Sequence, residues 1–433
     1  MATRGAGDSD VITLATFFVF LLAGLPIIFL LILASISFAF ERDAVVLFET
    51  FLVQSVKGIE ATGFLAIPLY MLVGEIMNRG GITERLMRTS FRIVGGFRGG
   101  LAYVNVLTNA FAAAILGSAT AQIAIMTRSV VPEMERHGYD KRFATGLTVA
   151  TGLLGPIIPP SMLMIIYGVL AYQSVAALFI AGILPGLLVT LFFFVTVGLS
   201  RKQLPAVETP TETASTGSSV VLDALPVVIP ATIIAGVVSG AMTPTEAGAI
   251  ACVVALLLSV FIYRSLRWVD YVPVVKNVIL ASASVVALIG FATLLGWVLA
   301  YEGVPRLLAE ALSSTAVGPI SFLFLVCAVV FLLGMFLDGI GVLIVIVPIL
   351  LPLAQVFGID PIHFGVVLAV ATLTGLVSPP VGPGLYIAMD ATGLSLMQVF
   401  RGAFPFLVAF VAALCVIILF PDLSNWLPDV LGL

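Results

Sequence analysis

Charge is scarce in this sequence: Asp, Glu, Lys and Arg together make up 10% of 433 residues, against 61% hydrophobic. A soluble domain carries about a quarter charged residues, so a soluble globule of several domains is excluded. Mean hydropathy is +1.22. The apolar runs are long and do not alternate, which disfavours a transmembrane β-barrel and implies an all-α polytopic membrane protein. Cysteine is as sparse. Cys252, Cys327 and Cys415 lie far apart in apolar runs without a CxxC, so no disulfide framework, zinc site or redox motif is supported. His137 and His363 have no carboxylate or cysteine cluster beside them, and sodium is the only metal the sequence supports. A Walker GxxxxGK(S/T) motif is absent, which excludes ATP hydrolysis by this chain, and no constellation supports an enzyme or an organic cofactor. The first apolar run, Val11 to Phe40, is too long for a signal-peptide core and lacks a small-residue cleavage site, so it reads as a retained helix.

Membrane spans are expected near 11–39, 61–78, 143–170, 176–200, 224–242, 246–263, 277–300, 362–388 and 400–420. Two further stretches are interrupted at their centres. The first, 100–127, is broken by Gly117-Ser118-Ala119-Thr120 and flanked on both sides by basic residues (Arg85, Arg88, Arg92 and Arg98 before, Arg128, Arg136, Lys141 and Arg142 after). Lys and Arg collect on the cytoplasmic side, so this stretch should enter from that side and return to it as a re-entrant helical hairpin. The second, 317–355, is broken by a glycine-rich segment around Asp338 and has flanks poor in basic residues, which suits a hairpin entering from outside. With the N-terminus inside and the C-terminus outside, every Lys and Arg falls inside except Arg42, Lys57 and Arg306. The basic amphipathic segment Phe91–Gly100 reads as an interfacial element. Residues 203–222, rich in Ser, Thr and Pro, read as a flexible linker between two halves.

Sliding the chain on itself by 220 residues superposes Asp140 on Asp360, Gly155 on Gly375, Pro159-Pro160 on Pro379-Pro380, Pro185 on Pro405 and the tip residue Ser118 on Asp338. With one hairpin inside and the other outside, the repeat is inverted in the membrane, and paired interrupted segments in inverted halves point to a secondary transporter and its binding site. Each Pro-Pro removes two amide donors, so the helix must open there. Carbonyls freed at membrane depth are costly unless satisfied, and a sodium ion satisfies several at once. Half-helix C-termini favour the cation, oxygen ligands suit it, and Ser118, Thr120, Ser161, Thr374 and Ser378 supply hydroxyls, unless these merely bond back to their own helical turn. Glu75 precedes Arg79 by one helical turn, the spacing of a boundary ion pair. Asp338, at the second break, either ligates sodium or caps a half-helix, and the sodium role is favoured. With no Arg or Lys in the core, an anionic substrate must be held by half-helix N-termini, backbone amides, hydroxyls and co-bound cations.

The segments 63–86 (GFLAIPLYMLVGEIMNRGGITERL), 152–168 (GLLGPIIPPSMLMIIYG), 243–251 (TPTEAGAIA), 334–365 and 375–383 (GLVSPPVGP) resemble the large membrane subunit of tripartite ATP-independent periplasmic (TRAP) transporters, the DctM type. The resemblance runs from about residue 11 to 425. It implies a sodium-driven importer of organic acids in the bacterial inner membrane, working with a soluble periplasmic binding protein and a small four-helix membrane subunit of the DctQ type by an elevator mechanism. It also implies that the small subunit is not fused to this chain. At the first tip Leu116-Gly117-Ser118-Ala119-Thr120 departs from the Ser-Gly-Ser-Ser pattern common in the family, whereas Ser378-Pro379-Pro380 keeps a hydroxyl where Thr is common.

The expected organisation is 1–99 N-terminal scaffold helices, 100–202 first repeat, 203–223 cytoplasmic linker, 224–300 scaffold, and 301–433 second repeat with a closing helix. Sodium is assigned to Ser118, Thr120, Gly155, Pro159 and Ser161 in one half, and to Asp338, Gly339, Gly375, Ser378, Pro379 and Gly382 in the other. Substrate contacts are assigned to Ser118, Ala119, Thr120, Pro160, Ser161, Thr374 and Pro380, near the bilayer midplane. The alternatives are a sodium–dicarboxylate symporter of the same architecture that works alone, against which the TPTEA segment speaks, and a channel or purely structural membrane subunit, which has no use for paired Pro-Pro breaks.

Overall fold

A computed structural model describes residues 25–41, 48–57, 65–96, 99–200, 220–301 and 318–433, with a few isolated positions between them. Among these residues there are helices and no strand, and six helices are long and apolar enough to cross a membrane. The chain is therefore an all-α polytopic protein, as expected. The start of the first expected span, most of the 203–223 linker and most of the flank 304–317 of the second hairpin lie outside the described residues.

The first half contains α1 (Ile27–Glu41), α2 (Phe48–Lys57), α3 (Ala66–Arg79), α4 (Ile82–Val94), the hairpin α5 (Gly100–Leu116) and α6 (Ala119–Arg136), then α7 (Lys141–Gly152), α8 (Met162–Ala171), α9 (Val175–Ala181) and α10 (Ile183–Leu199). The second contains α11 (Val220–Ala224), α12 (Val228–Val238), α13 (Pro244–Leu257), the long α14 (Trp268–Tyr301), the hairpin α15 (Pro319–Gly334) and α16 (Gly339–Val356), then α17 (Pro361–Leu376), α18 (Pro383–Thr392), α19 (Leu396–Leu419) and α20 (Asp422–Leu431). The 220-residue offset carries α6 onto α16 end for end. Helices α1–α3 and α12–α14 pack on one another, and the hairpins pack on α7, α8, α17, α18 and α19.

Three local signals explain boundaries that hydropathy alone misplaces. The second limb of the first hairpin runs to Arg136, not to 127, because its polar last turns are held by an Arg136–Glu133 pair at 3.1 Å and finish a helix that the apolar count had ended. The TPTEA segment is a helix start: Thr243 and Glu246 form a reciprocal capping box with Pro244 in the first turn. The basic amphipathic element lies at Ile82–Val94, not at 91–100, because Gly95, Gly96, Gly99 and Gly100 interrupt the later stretch.

That helix has a definite partner. Arg85, Arg88 and Arg92 share one face and approach the carboxylate of Asp223, fully buried at the start of the second half, at 3.6, 3.1 and 3.1 Å. Thr89 donates to the Asp223 carbonyl, and the Arg85 guanidinium lies 3.9 Å over the Tyr263 ring. Removing one partner of a buried ion pair strands the other charge; the arginines here keep between a fifth and a third of their exposure, which tempers the effect. Asp223→Ala should therefore cost about 2–3 kcal/mol, read as a lowered melting temperature of the detergent-purified protein.

Candidate transport site at two helix breaks

Both halves build the same junction from the same capping chemistry. Asp140 starts α7 by accepting from the amides of Arg142 and Phe143, and Asp360 starts α17 by accepting from those of Ile362 and His363. Each helix then stops where the sequence removes its donors: α7 at Gly152 before Pro156, Pro159 and Pro160, α17 at Leu376 before Pro379 and Pro380. The two Pro-Pro bonds are cis. Beyond the breaks, Ser161 caps α8 by accepting from the Met164 amide at 3.2 Å, and α18 starts after Gly382.

Each hairpin tip is tied to its own break by one backbone bond. The Met162 amide donates to the Gly117 carbonyl at 3.2 Å, and the Gly382 amide, at the equivalent position, donates to the Met335 carbonyl at 2.9 Å. These are groups that helix ends leave unsatisfied. Glycine permits the approach: a Cβ on Gly155 would stand 3.1 Å from the Ser118 carbonyl oxygen, and one on Gly375 would stand 2.4 Å from the Gly334 carbonyl carbon. Two helix C-termini and two helix N-termini thus converge at each junction, offering negative ends to a cation and positive ends to an anion.

The expected site residues divide into distinct environments. Ser118 and Thr120 meet at 3.1 Å between their hydroxyls, and Ser118 caps α6. Gly155, Pro159, Pro160 and Ser161 are buried behind that tip, with Ala119. Most hydroxyls back-bond: Ser161 donates to the Pro156 carbonyl, Thr374 to the Ala371 carbonyl and Ser378 to the Thr374 carbonyl. Donating the hydrogen still leaves the oxygen lone pairs for a cation. Asp338 caps α16, accepting from the Gly341 amide at 3.0 Å, so the cap is formed in the structure. Gly339 packs against Leu163 of α8 and brings the second tip to the first half. Pro380 is exposed and Pro379 half-buried at the second break. His137 and His363 bond to the Glu133 carbonyl and to Ser424.

A cavity of about 590 Å³ lies between this junction and the helices α3 and α14. Its inner wall is Ser118, Met162 and Ile340; its outer part carries Glu75, Asn78, Arg128, Ser129 and Asn277. Of the residues expected to touch substrate, Ser118 alone lines it. Glu75 accepts from Arg79 at 3.1 Å, the expected ion pair, and also from Asn277 of α14. A second cavity of about 370 Å³ lies farther along α14, lined by Val347, Pro348, Leu351 and Pro352 of α16. It does not reach either tip, and Gly296 and Pro348 close the packing there, since a Cβ on Gly296 would sit 2.6 Å from the Pro348 side chain. The sequence reading missed Asn78 and Asn277, and also the buried amides of the first hairpin, for which polar residues within an apolar run are themselves a signal.

The model of the tripartite ATP-independent periplasmic transporter DctM component matches residues 14–423. The chain belongs to this DctM family. It is 32% identical over 410 residues to the sialic acid TRAP transporter large permease protein SiaM of Vibrio cholerae, covering 94% of this chain and 96% of that one. It is 34% identical over 373 residues to the C4-dicarboxylate TRAP transporter large permease protein DctM of Pseudomonas aeruginosa, with 85% and 87% covered. Among solved structures the Alcanivorax borkumensis YdaH transporter has the same fold, with a TM-score of 0.62 over 88% of both chains at 14% identity. Membership of the DctM family makes the chain a transporter component and not an enzyme.

Proposed function

We propose that this chain is the large permease subunit of a sodium-coupled TRAP system that imports an organic acid. A periplasmic binding protein delivers the acid, and a small four-helix membrane subunit is the second partner. The observation that carries the reading is the pair of equivalent junctions, each joining a hairpin tip to a helix break with cation-favouring carbonyl ends and anion-favouring amide ends. The relatives named for sialic acid and C4-dicarboxylates support the substrate class.

Sodium binds at Ser118, Thr120, Gly155, Pro159 and Ser161 in one half and at Asp338, Gly339, Gly375, Ser378, Pro379 and Gly382 in the other, with the substrate between the tips. The arginine-rich base of the first hairpin supports a cytoplasmic location for that side, with the N-terminus inside and the C-terminus outside, in the bacterial inner membrane. The larger cavity opens beside Arg128 and reaches Ser118 and Ile340, while its smaller counterpart stops short of both tips; that asymmetry fits a carrier facing inward. In an elevator cycle the hairpin body slides along α14 and exchanges the two cavities.

The test is uptake into proteoliposomes holding this chain and its small subunit, with a panel of radiolabelled organic acids, with and without a sodium gradient and binding protein. Uptake that needs both is the expected result. Sodium-driven uptake without binding protein would replace this reading with a stand-alone symporter, and flux indifferent to sodium would overturn the ion sites.

A further inference from the structure

The first hairpin contains a chain of amides that its repeat mate lacks. Asn105, Asn109 and Gln122 are fully buried. Asn105 Nδ2 donates to Thr148 Oγ1 at 2.7 Å, and Asn109 Nδ2 donates to Asn105 Oδ1 at 2.7 Å and to the Asn105 carbonyl at 3.0 Å. Gln122 Nε2 donates to Asn109 Oδ1 at 2.9 Å and to the Asn109 carbonyl at 2.8 Å. At the 220-residue offset stand Leu325, Val329, Val342 and Leu368, all apolar.

Carbonyls, which only accept, fix the direction of this chain. The Thr148 hydroxyl gives its hydrogen to the Ala144 carbonyl, so its oxygen must accept from Asn105. The amide nitrogens of Asn109 and Gln122 each face a backbone carbonyl, so their oxygens face the other way. The last oxygen, Gln122 Oε1, is buried and has no hydrogen-bond partner among the described residues. It lies one helical turn beyond the tip, since the Gln122 amide donates to the Ser118 carbonyl at 3.0 Å. A Cβ on Gly155 would stand 2.8 Å from Gln122 Oε1 and 3.1 Å from the Ser118 carbonyl oxygen, so both oxygens converge on the first break.

A buried acceptor without a donor is desolvated with nothing to offset it. Donation through two upstream amides polarises that oxygen further, and an oxygen in this state is a good partner for a hard cation. We propose that Gln122 Oε1 is a ligand of the coupling cation at the first break, and that Asn105 and Asn109 are positioning residues that hold it there. The inference rests on the sodium-coupled reading and deepens it: the two ion sites are chemically unequal, a neutral amide in the first half against the Asp338 carboxylate in the second.

The test is the sodium dependence of thermal unfolding, with the purified chain and its small subunit titrated with sodium chloride against choline chloride. Gln122→Leu removes the oxygen, and Gln122→Asn keeps an amide but withdraws it from the break. Both should keep the choline melting temperature within about 3 °C of the unaltered protein, yet need about tenfold more sodium for half of the stabilisation. If either folded variant keeps the unaltered sodium midpoint, Gln122 is not a ligand and the proposal falls while sodium coupling stands. A melting temperature lowered equally in both salts, with that midpoint unchanged, also overturns it and leaves the chain a packing role. If the unaltered protein shows neither sodium-dependent stabilisation nor sodium-driven uptake, both readings fall together.

Discussion

Alanine at Gly146 should leave little folded protein in the membrane. Helix α7 crosses α19 at Gly146 and Gly402 with backbone against backbone: a Cβ on Gly146 would stand 2.0 Å from the Gly402 carbonyl carbon and 2.3 Å from the Ala403 nitrogen. Carbon atoms settle about 3.5–4.0 Å apart, so the helices would have to separate by roughly 1.5 Å or more. The obstruction is main chain on both sides, and no rotamer change relieves it. Overpacking of a side-chain core costs about 1–3 kcal/mol and occasionally more; a main-chain obstruction between two long helices belongs at or beyond the upper end. The contact also joins the two halves at the proposed site, because α7 carries the first break and α19 belongs to the second half. Size-exclusion profiles of a fluorescent fusion of Gly146→Ala should show aggregate or no peak. Gly96→Ala is the control, as nothing lies within 4 Å of its Cβ position; its profile should match that of the unaltered chain.

The contrast between these glycines shows what the sequence could and could not tell. The offset of 220 residues is legible because Pro-Pro, Asp and Gly at the breaks answer to local chemistry: lost donors, capped amides and backbone turns. Those constraints act within a few residues, so the hairpins, the breaks and the order of the helices could be read directly. Gly146 and Gly402 answer to a partner 256 positions away, and nothing local marks them as a crossing point. The same distance hid the grip of Arg85, Arg88 and Arg92 on Asp223, which the sequence presents only as a basic segment and a linker end. Within the site, Ser118 approaches Gly155 in the first half and Gly334 approaches Gly375 in the second, because tip and break are joined in each half. The wall supplied by Asn78 and Asn277 was not legible, since it depends on which face α3 and α14 turn toward the hairpins.

Asp338→Asn separates the two roles open to that residue. As the cap of α16, its carboxylate accepts from the Gly341 amide at 3.0 Å. Asparagine caps about as well as aspartate, whereas alanine costs about 1 kcal/mol. Asp338→Asn should therefore match the unaltered protein in melting temperature without sodium, and Asp338→Ala should fall below it. Sodium affinity should divide the variants differently. Two unit charges about 4 Å apart attract by about 4 kcal/mol at an effective dielectric of 20, and an amide oxygen retains only a dipolar part of that. Losing even 1.4 kcal/mol of it raises the half-saturating sodium concentration about tenfold. Both variants should then require at least about tenfold more sodium in the uptake assay, although only one has lost the cap. On the proposed sodium coupling, the substrate should also bind more weakly at fixed subsaturating sodium. Asp338→Asn that transports with unaltered sodium dependence would reduce the residue to a helix cap and move the second cation onto the carbonyls and hydroxyls of Gly375 to Gly382. An unaltered Asp338→Asn beside an impaired Asp338→Ala would make hydrogen bonding, not charge, the requirement at the second tip.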